Sequence, residues 1–397
     1  MTQGRKSTKA SHSTILALNV GSSSIKLAVV HATTLQEQFR IHAEMRNAHQ
    51  AIATVIVKKR VVRTVKISDA KTLPDLLHHM LLEAVQVFPN LLETTCAVGH
   101  RFVHGGELFF KPTILSKDVF QTLSELEHLA PLHHPYELAG MTAAVAFFPD
   151  ATQYVVFDTG FFHALKPHVY LYALPYTYYR DYGIRRFGFH GISHEYLLQE
   201  TARTLRKPVR QLHVVTCHLG SGSSLAVIRN GMPLDTTMGF SPSEGLTMAT
   251  RVGDLDPMIV LALQQQLKLT PEEISDLLYH ESGLKGVSGF SADLRDILAT
   301  AGHATEGGVA ARGKEHQRRA RLALDMYLYD IQRYLASYIG LLPRVHAIVF
   351  SGAAGAANAA LRRMILSGVP AAKGIRVLAI ETHEELHIAR NFTAATT

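Results

Sequence analysis

The sequence LALNVGSSSIKLAVV, residues Leu16–Val30, predicts an apolar strand, a Gly/Ser turn and a second apolar strand. The small residues of the turn leave backbone N–H groups and hydroxyls able to converge on an anion. Asn19 and Lys26 flank the turn. We interpret Asn19 as a metal or phosphate contact and Lys26 as a fixed positive charge. Taken alone, such a stretch is more often an ordinary β-hairpin.

The same pattern occurs a second time, in VVTCHLGSGSSLAVI, residues Val214–Ile228, about 200 residues further along the chain. Two such phosphate cradles predict a duplicated fold that holds a nucleotide between its halves. The other strand-like runs alternate with helical patterns, which indicates an α/β fold with mixed sheets. We place the boundary between the halves near residue 160, after the strand-like YVVFD.

One helix is predicted clearly by its apolar spacing. Within Arg318–Leu342, apolar residues recur at steps of three and four from Leu324 to Leu342 and form one continuous face. This face indicates a helix of the core or of a subunit contact rather than a cofactor site. The Gly/Ala-rich Ala301–Lys314 predicts a mobile surface loop.

The composition restricts the class of protein. The 397 residues suffice for two or three domains, and the formal net charge is +7. No apolar run reaches the ~18 residues that a membrane span needs, so we expect no membrane partner. The densest basic run, Lys58–Lys66, alternates charges with valines. It predicts a lysine-protected edge strand rather than a nucleic-acid site, and the positive field favours anionic small substrates.

Two features indicate a reducing, cytoplasmic location. Cys96 and Cys217 are the two cysteines, each within apolar sequence, so no disulfide framework is expected. Residues 1–12, MTQGRKSTKASH, are polar and basic without an apolar core. They predict a disordered tail rather than a signal peptide or an anchor.

Several polar residues stand where α/β enzymes keep their chemistry. Arg101 follows an apolar strand in GHRFVHGG and is placed to hold a carboxylate or phosphate, although a surface arginine is the plainer interpretation. Asp158 ends the strand in VVFDTGFFH. APLHHP presents His133 and His134 in a predicted proline-bounded loop.

The second half adds histidines and an arginine. FGFHGISH separates His190 and His194 by four residues, but Gly-Ile-Ser is a poor helix and no carboxylate intervenes, which disfavours zinc. MATRVGDLDP carries Arg251, Asp254 and Asp256 in a predicted loop. Arginines, an aspartate, a histidine and two phosphate cradles are what phosphoryl transfer needs, because the transferred group requires cations on its oxygens.

The motifs together resemble those of the acetate kinase family, within the acetate and sugar kinase, Hsc70 and actin superfamily. The resemblance runs from about Ile15 to Arg390. It rests on NVGSSSIK, GHRFVHGG, APLHHP, VFDTGFFH, YALPYTYYRDYGIRRFGFHGISH, TCHLGSGSSLA, DTTMGFSPSEGL, TRVGDLDP, SGLKGVSGFSADLRDI and ETHEELHIAR.

The resemblance implies an α/β fold of two duplicated ribonuclease H-like, actin-like ATPase domains with mixed sheets and a central cleft. The N-terminal domain would span residues 13–160, joined by the C-terminal segment 385–397. The nucleotide-binding domain would span residues 161–384. Members of the family form homodimers, so a homodimer is expected here.

The resemblance also implies a reaction, the reversible transfer of phosphate between ATP and acetate to give acetyl phosphate and ADP. Asn19 and Glu384 would hold Mg²⁺, with Mn²⁺ as an alternative, and we choose Glu384 over the adjacent Glu385. Arg101 would bind acetate. The other implied roles are a phosphate contact for Lys26, the essential carboxylate for Asp158, and stabilisation of the transition state for His190 and Arg251.

The remaining implied residues line the substrates. The acetate methyl group would contact Val103, Leu132, Phe189 and Pro242. The phosphates would lie along His218, Leu219, Gly220, Ser221 and Gly222. The nucleoside would contact Asp293, Leu294, Arg295 and the stretch Ala353, Ala354, Gly355, Ala356 and Ala357.

This sequence departs from the family pattern at three places. Ser221 and His134 each stand where the family usually has Asn. The family's GIGEN is replaced by Ala353–Ala357, AAGAA, so a Glu and an Asn become Ala356 and Ala357. Two polar nucleoside contacts, each worth ~0.5–1.5 kcal/mol, are therefore missing.

Three functions remain open at this point. The first is a Mg²⁺-dependent acetate kinase. The second is a kinase of the same fold that acts on propionate or butyrate or uses another phosphoryl donor. The third is a ligand-binding or regulatory protein that has lost turnover, against which the six retained site residues argue: Asn19, Arg101, Asp158, His190, Arg251 and Glu384.

Overall fold

The structure is a computed structural model that describes residues 13–21, 24–47, 50–68, 70 and 72–397. The predicted disordered tail, residues 1–12, lies outside these residues. So do Ser22 and Ser23 of the first Gly/Ser turn. Among the described residues, no helix is long and apolar enough to cross a membrane.

Thirteen strands occur in the described part of the chain. They are β1 (Thr14–Val20), β2 (Ser24–His31), β3 (Glu37–Asn47), β4 (Gln50–Val57), β5 (Arg60–Ile67), β6 (Thr95–Phe102), β7 (Thr113–Ile114), β8 (Thr152–Phe157), β9 (His213–Leu219), β10 (Ser223–Arg229), β11 (Met232–Thr236), β12 (Ala347–Ser351) and β13 (Val377–Ala379).

The described α-helices number sixteen. They are α1 (Leu73–Val87), α2 (Leu91–Thr94), α3 (Lys117–Glu125), α4 (His134–Phe147), α5 (Pro167–Tyr170), α6 (Tyr176–Tyr182), α7 (Gly191–Leu205), α8 (Pro257–Gln266), α9 (Pro271–Asp276), α10 (Gly283–Ser288), α11 (Leu294–Ala301), α12 (Lys314–Gly340), α13 (Gly352–Ala357), α14 (Ala359–Ser367), α15 (Glu384–Arg390) and α16 (Phe392–Thr396). Short 3₁₀ turns and one π-helical turn, Leu277–Glu281, connect them.

The chain divides into two compact units. The first unit comprises the described residues of Met1–Gly160 together with His383–Thr397, and the second unit comprises Phe161–Thr382. The C-terminal segment is built into the first unit, where the hydroxyl of Tyr154 donates a 2.9 Å hydrogen bond to the carbonyl of Ile388. Gly99 lies beside both residues, and a Cβ there would meet their side chains at less than 3 Å.

Each unit is built on one mixed sheet, and the two sheets share a core topology. The first sheet has the order β5-β4-β3-β2-β1-β6-β8-β7, and the second has the order β11-β10-β9-β12-β13. β3-β2-β1 and β11-β10-β9 are antiparallel, whereas β1-β6-β8 and β9-β12-β13 are parallel. The predicted duplication and the α/β fold class are confirmed.

The apolar face predicted on the long helix is also confirmed. Leu324, Ile331, Leu335 and Tyr338 of α12 are buried in the core of the second unit, packed over its sheet. The helix starts four residues earlier than predicted, after Gly313, whose φ of 105° suits glycine.

The loop before α12 is anchored. The N–H groups of Val309 and Ala311 donate to Asp296 and to the hydroxyl of Thr300 on α11. The surface position is as predicted, and the mobility of the loop stays a prediction.

The basic run belongs to an edge strand, as predicted, although it spans a hairpin rather than one strand. β4 and β5 are joined by Lys58 and Lys59, both at positive φ, and β5 is the outer strand of its sheet. Arg63 pairs with Glu83 and with Gln86 on α1. A register shift interrupts β5, which is a common way to protect a sheet edge.

Candidate active site

The carboxyl ends of three adjacent strands bring Asn19, Arg101 and Asp158 together in the first unit. They lie on β1, on β6 and directly after β8, where open α/β sheets place their ligand sites. Arg101 donates from Nε and Nη2 to one carboxylate oxygen of Asp158, at 3.2 and 2.5 Å. Its Nη1 donates to the Asn19 amide oxygen at 3.2 Å. Three of the five guanidinium N–H groups are thereby used, and two remain for a ligand.

The electrostatics of Arg101 follow from its acidic surroundings. Burial opposes the charged form, but the charges of Asp158, Glu384 and Glu137 outweigh it and raise the pKa of Arg101 above its usual value. Asp158 is 2% exposed. The guanidinium is therefore a permanent, rigidly held cation at the sheet edge.

Glu384 and Asn19 are the residues that fit a magnesium ion. Glu384 is the first residue of α15, and its Oε2 accepts a 3.5 Å hydrogen bond from the Asn19 amide. Amide and carboxylate oxygens are the ligands that Mg²⁺ takes, usually one or two from protein beside water and phosphate oxygens. The described residues contain no cluster of three or more His, Cys, Asp or Glu side chains arranged for a metal. Glu384 is in hydrogen-bond contact with Asn19, whereas Oε1 of Glu385 is buried without a hydrogen bond, and the choice of Glu384 as the metal ligand stays a prediction.

Lys26 lies directly across the hairpin from Asn19. The two residues are partners in the β1–β2 register, and Lys26 is the exposed residue of an otherwise buried stretch of β2. An exposed ammonium beside Asn19 suits a phosphate contact, and this role stays a prediction.

Glu137 was missed by the sequence reasoning. It lies in the first turn of α4, is 2% exposed, and accepts the N–H of Val103 at 3.1 Å, while its other oxygen has no hydrogen-bond partner. Burial raises the pKa of Glu137 to about 8, against the opposing charge of Arg101. The one signal in the sequence was a glutamate within the apolar run of α4.

His134 corrects the prediction of a loop. It is the first residue of α4, fully buried, and its ring stacks on Phe102 at a centroid distance of 4.2 Å. Burial lowers the pKa of His134 to about 4, so the ring is neutral at physiological pH. His133 precedes it at the N-cap position. The proline that suggested a loop occupies the first turn of the helix instead, where it is well tolerated.

The four residues predicted to contact the acetate methyl group are distributed over both units. Val103 and Leu132 belong to the first unit, and Phe189 and Pro242 belong to the second. Val103 and Phe189 are buried, whereas Leu132 is 39% exposed. Their joint role stays a prediction.

Linked histidines occupy the corresponding edge of the second sheet. His218 is the sixth residue of β9, as Asn19 is of β1. The ring of His190 lies 4.6 Å from that of His218, and its Nδ1 lies 2.9 Å from Oγ of Ser224. The hydroxyl of Ser193 holds Nδ1 of His218 at 2.7 Å.

The prediction that Gly-Ile-Ser is a poor helix is wrong, because α7 begins at Gly191. Burial of Ile192 and Leu197 outweighs the weak propensity of glycine. His190 precedes the helix with a φ of 58°, an uncommon conformation for a non-glycine residue.

His190 and Arg251 converge on the second Gly/Ser turn. A Cβ placed on Gly222 would lie 3.3 Å from Nε2 of His190 and 3.4 Å from Nη1 of Arg251. Nη1 of Arg251 also donates to the carbonyl of Pro242 at 3.2 Å. The turn itself is closed by a hydrogen bond from Gly220 N to Gly222 O, and Ser221 is exposed at its tip. Leu219 is buried.

The two carboxylates that follow Arg251 in its loop, Asp254 and Asp256, have structural roles. Asp254 accepts the N–H of Gly245 and pairs with Arg333. Asp256 is the N-cap of α8 and accepts the N–H of Met258.

The residues predicted to contact the nucleoside lie at the N-termini of two helices, α11 and α13. Asp293 caps α11 and pairs with the exposed Arg295, with Leu294 as the first helical residue. The stretch Ala353–Ala357 lies in α13, a helical turn rather than a loop. Ala353, Ala356 and Ala357 line a cavity of about 470 Å³ that also touches Gly352, Ala379, Glu381 and Thr382.

Two further residues lie next to this stretch: Arg362, which the sequence did not indicate, and Asn358, the alternative candidate for the place of the missing asparagine. Nη1 of Arg362 donates to the carbonyls of Gly355 and Ala356, at 2.8 and 2.6 Å, and so holds the end of α13. Oδ1 of Asn358 accepts the N–H of Leu361 as the N-cap of α14. The side-chain oxygen of Asn358 is thus already engaged by a backbone N–H group of α14.

The chain is similar to known proteins over most of its length. The model of the Acetokinase family matches residues 14–395. An acetate kinase from Acetivibrio thermocellus is 34% identical, covering 95% of this chain and 97% of its own length. A propionate kinase structure from Francisella tularensis has a TM-score of 0.85 at 30% identity, covering 96% of this chain and 98% of its own. An acetate kinase structure from Porphyromonas gingivalis has a TM-score of 0.82 at 30% identity, covering 97% and 100%. By these likenesses, the chain belongs to the acetokinase family.

Proposed function

We propose that the protein is an acetate kinase, which transfers the γ-phosphate of ATP reversibly to acetate. The observation that carries the proposal is the guanidinium of Arg101, fixed by Asp158 and Asn19 with two N–H groups left over. Two parallel N–H groups match the two oxygens of a carboxylate.

In this proposal the first unit binds acetate and the metal. Arg101 orients the carboxylate, and Asp158 holds Arg101 in place. The buried, apolar Val103 two residues further on suits a short alkyl group. Asn19 and Glu384 would hold Mg²⁺, which neutralises charge on the bridging phosphate oxygens when bound.

The second unit supplies phosphate contacts and positive charge. The backbone of His218–Gly222 would line the phosphates, and Arg251 and His190 beside Gly222 would stabilise the charge that develops on the transferred phosphoryl group. Little covalent chemistry is required of the protein, since positioning and charge stabilisation dominate this reaction.

We also propose propionate as a second substrate. One extra methylene changes binding in an apolar pocket by only ~1–3 kcal/mol, and one of the similar structures is that of a propionate kinase. A homodimer in the cytoplasm is part of the same proposal.

The decisive experiment measures acyl-phosphate formation by the purified protein. Acetate, propionate and butyrate are each tested with ATP, GTP and pyrophosphate, with and without Mg²⁺. We expect acetate with a nucleotide and Mg²⁺ to be fastest. A preference for butyrate or pyrophosphate would support the alternative kinase, and no product with any pair would support a binding protein without turnover.

A further inference from the structure

A chain of hydrogen bonds leads from the interior of the second unit to His190. It begins at Thr216, whose hydroxyl lies 3.4 Å from the carbonyl of Ala226 and 2.7 Å from Nδ1 of His194. Nε2 of His194 lies 2.9 Å from Oγ of Ser224, which in turn lies 2.9 Å from Nδ1 of His190. All links of this chain, Thr216–His194–Ser224–His190, are within the second unit.

The protons of this chain can be assigned from its buried end. A hydroxyl donates one proton, so if Thr216 donates to the Ala226 carbonyl it must accept from Nδ1–H of His194. His194 is fully buried, and burial lowers its pKa to about 3, so the ring is neutral and carries a single N–H. Nε2 of His194 is then an acceptor.

The proton positions at the His190 end of the chain follow from those at the Thr216 end. Because Nε2 of His194 accepts, Ser224 must donate to it. The oxygen of Ser224 is then the acceptor for His190, whose Nδ1 must carry a proton. Which nitrogen of a histidine is protonated is set by the partner of the other nitrogen, and here the partner lies three links away.

We propose that His194 and Ser224 are positioning residues that keep a proton on Nδ1 of His190. Nε2 of His190, the nitrogen beside Gly222 and Arg251, then carries a proton only when the ring is positively charged. His190 can therefore donate a hydrogen bond towards this turn only as a cation.

This proposal has a consequence for the reaction, and that consequence rests on the proposed function. A cationic His190 adds charge and a donor where the phosphoryl oxygens would lie. The neutral ring would present a lone pair to those oxygens instead. Activity should therefore fall with rising pH as the ring loses its proton. The titratable and charged groups near His190 include His218 on β9 and Arg251 in the loop before α8, and His194 on α7 is linked to it through Ser224.

The first test reads the tautomer without any substrate. Nitrogen NMR of protein labelled with ¹⁵N-histidine distinguishes protonated from unprotonated ring nitrogens, and His190→Gln identifies the signals of His190. We expect neutral His190 in the wild type to carry its proton on Nδ1. A neutral His190 with its proton on Nε2 would overturn the proposal, whatever the protein's activity.

Two variants break the chain at different places. Ser224→Ala removes the acceptor for Nδ1, which releases the neutral ring to carry its proton on Nε2. Thr216→Val keeps the shape of the side chain but removes the far hydroxyl. His194 is then free to protonate Nε2 and donate to Ser224, which would reverse the chain. Thr201→Val is the matched control, a buried threonine on α7 outside the chain.

The second test is the pH profile of kcat. In the wild type and in Thr201→Val, we expect kcat to fall about tenfold for each pH unit above the midpoint of the alkaline limb. In Ser224→Ala and Thr216→Val, we expect a lower maximal kcat and a shallower fall of kcat at high pH. The neutral ring of His190 can still donate a hydrogen bond from Nε2 in these variants. An unchanged limb in both variants, with the wild-type tautomer retained, would overturn the proposal. Absence of activity in the wild type would instead refute the proposed function.

Discussion

Arg101 and Asp158 are joined through two guanidinium nitrogens at the carboxyl ends of neighbouring parallel strands. Asp158 holds the guanidinium of Arg101 in a fixed position. Two guanidinium N–H groups of Arg101 are left without a bond to Asp158 or Asn19. The acid thus orients the arginine, and the arginine is available for an anionic substrate.

The first prediction concerns the two arginines. Arg101→Ala and Arg251→Ala should each nearly abolish turnover with the fold intact, because in the proposed function Arg101 binds the acetate carboxylate and Arg251 stabilises the charge on the transferred phosphoryl group. An arginine in comparable chemistry is worth ~10³–10⁵ in rate. Steady-state kinetics with circular dichroism of each variant is the measurement.

Arg180→Ala is the control for both variants. Arg180 is exposed and pairs with its exposed neighbour Asp181. It should keep wild-type activity. If Arg101→Ala or Arg251→Ala kept more than about a tenth of the wild-type kcat, a loss below ~1.4 kcal/mol, the assigned role would be wrong.

The second prediction concerns substrate size. Val103 is buried two residues after Arg101, so the wild type should have a higher kcat/KM for acetate than for butyrate. Val103→Ala should narrow the difference by creating space for a longer chain. Each methylene is worth ~1–3 kcal/mol in such a pocket. Competition between the acids, monitored as kcat/KM ratios, tests this, and a wild-type preference for butyrate would refute the assignment of the pocket.

The third prediction is a pH dependence of stability caused by Glu137. Its pKa is raised to about 8 in the folded state, whereas an unfolded glutamate titrates at ~4.3. Between these values the unfolded chain releases the proton and the folded chain keeps it, so this group lowers stability as pH rises across the window. Glu137→Gln should remove this fall and unfold at a higher temperature than the wild type near pH 8.

Thermal unfolding of both proteins from pH 4.5 to 9 provides the measurement. The exposed Glu127→Gln is the control and should follow the wild type. Parallel curves for wild type and Glu137→Gln would show that Glu137 is ionised in the folded protein and would exclude the interpretation.

The fourth prediction concerns the nucleoside. Ala356 and Ala357 offer only apolar or backbone contacts to the cavity that they line, so base selection should be weak. We expect a high KM for ATP and little discrimination between ATP and GTP, with kcat less affected. Ala356→Glu combined with Ala357→Asn should lower the KM for ATP about tenfold if it regains ~1.4 kcal/mol.

An alternative is that Asn358 takes the place of the missing asparagine. Its Oδ1 already caps α14, which leaves only the amide nitrogen for a ligand. Asn358→Ser separates the two roles, because serine is also a good N-cap. Tight, ATP-selective binding in the wild type that is lost in Asn358→Ser would contradict the fourth prediction.

The two Gly/Ser hairpins were predictable because their signal is local. Two short apolar runs on either side of a small-residue turn indicate a hairpin within 15 residues, and the repetition of this pattern indicates the duplicated sheet. Asp158 and Arg101 were likewise predictable as strand-end residues. Their mutual contact was not, because it depends on the parallel pairing of β6 with β8.

Other features depend on packing that no local pattern encodes. His134 was misplaced in a loop because its burial against Phe102 arises only when α4 packs on β6. Glu137 carries no distinguishing neighbours in sequence, and its burial follows from the same packing. The link from Thr216 to His190 joins a strand, a helix and a second strand, so spacing alone could not indicate it.

The hydrogen bond from Tyr154 to Ile388 has a consequence for how the chain matures on the ribosome. β8 is synthesised more than 200 residues before the segment that covers it, and synthesis proceeds at ~5–20 residues per second. During that interval the second unit can complete its own core, whereas the first unit lacks α15 and with it Glu384. Nascent chains of this protein should therefore expose Gly99 and Tyr154 to chaperones until α15 has been synthesised.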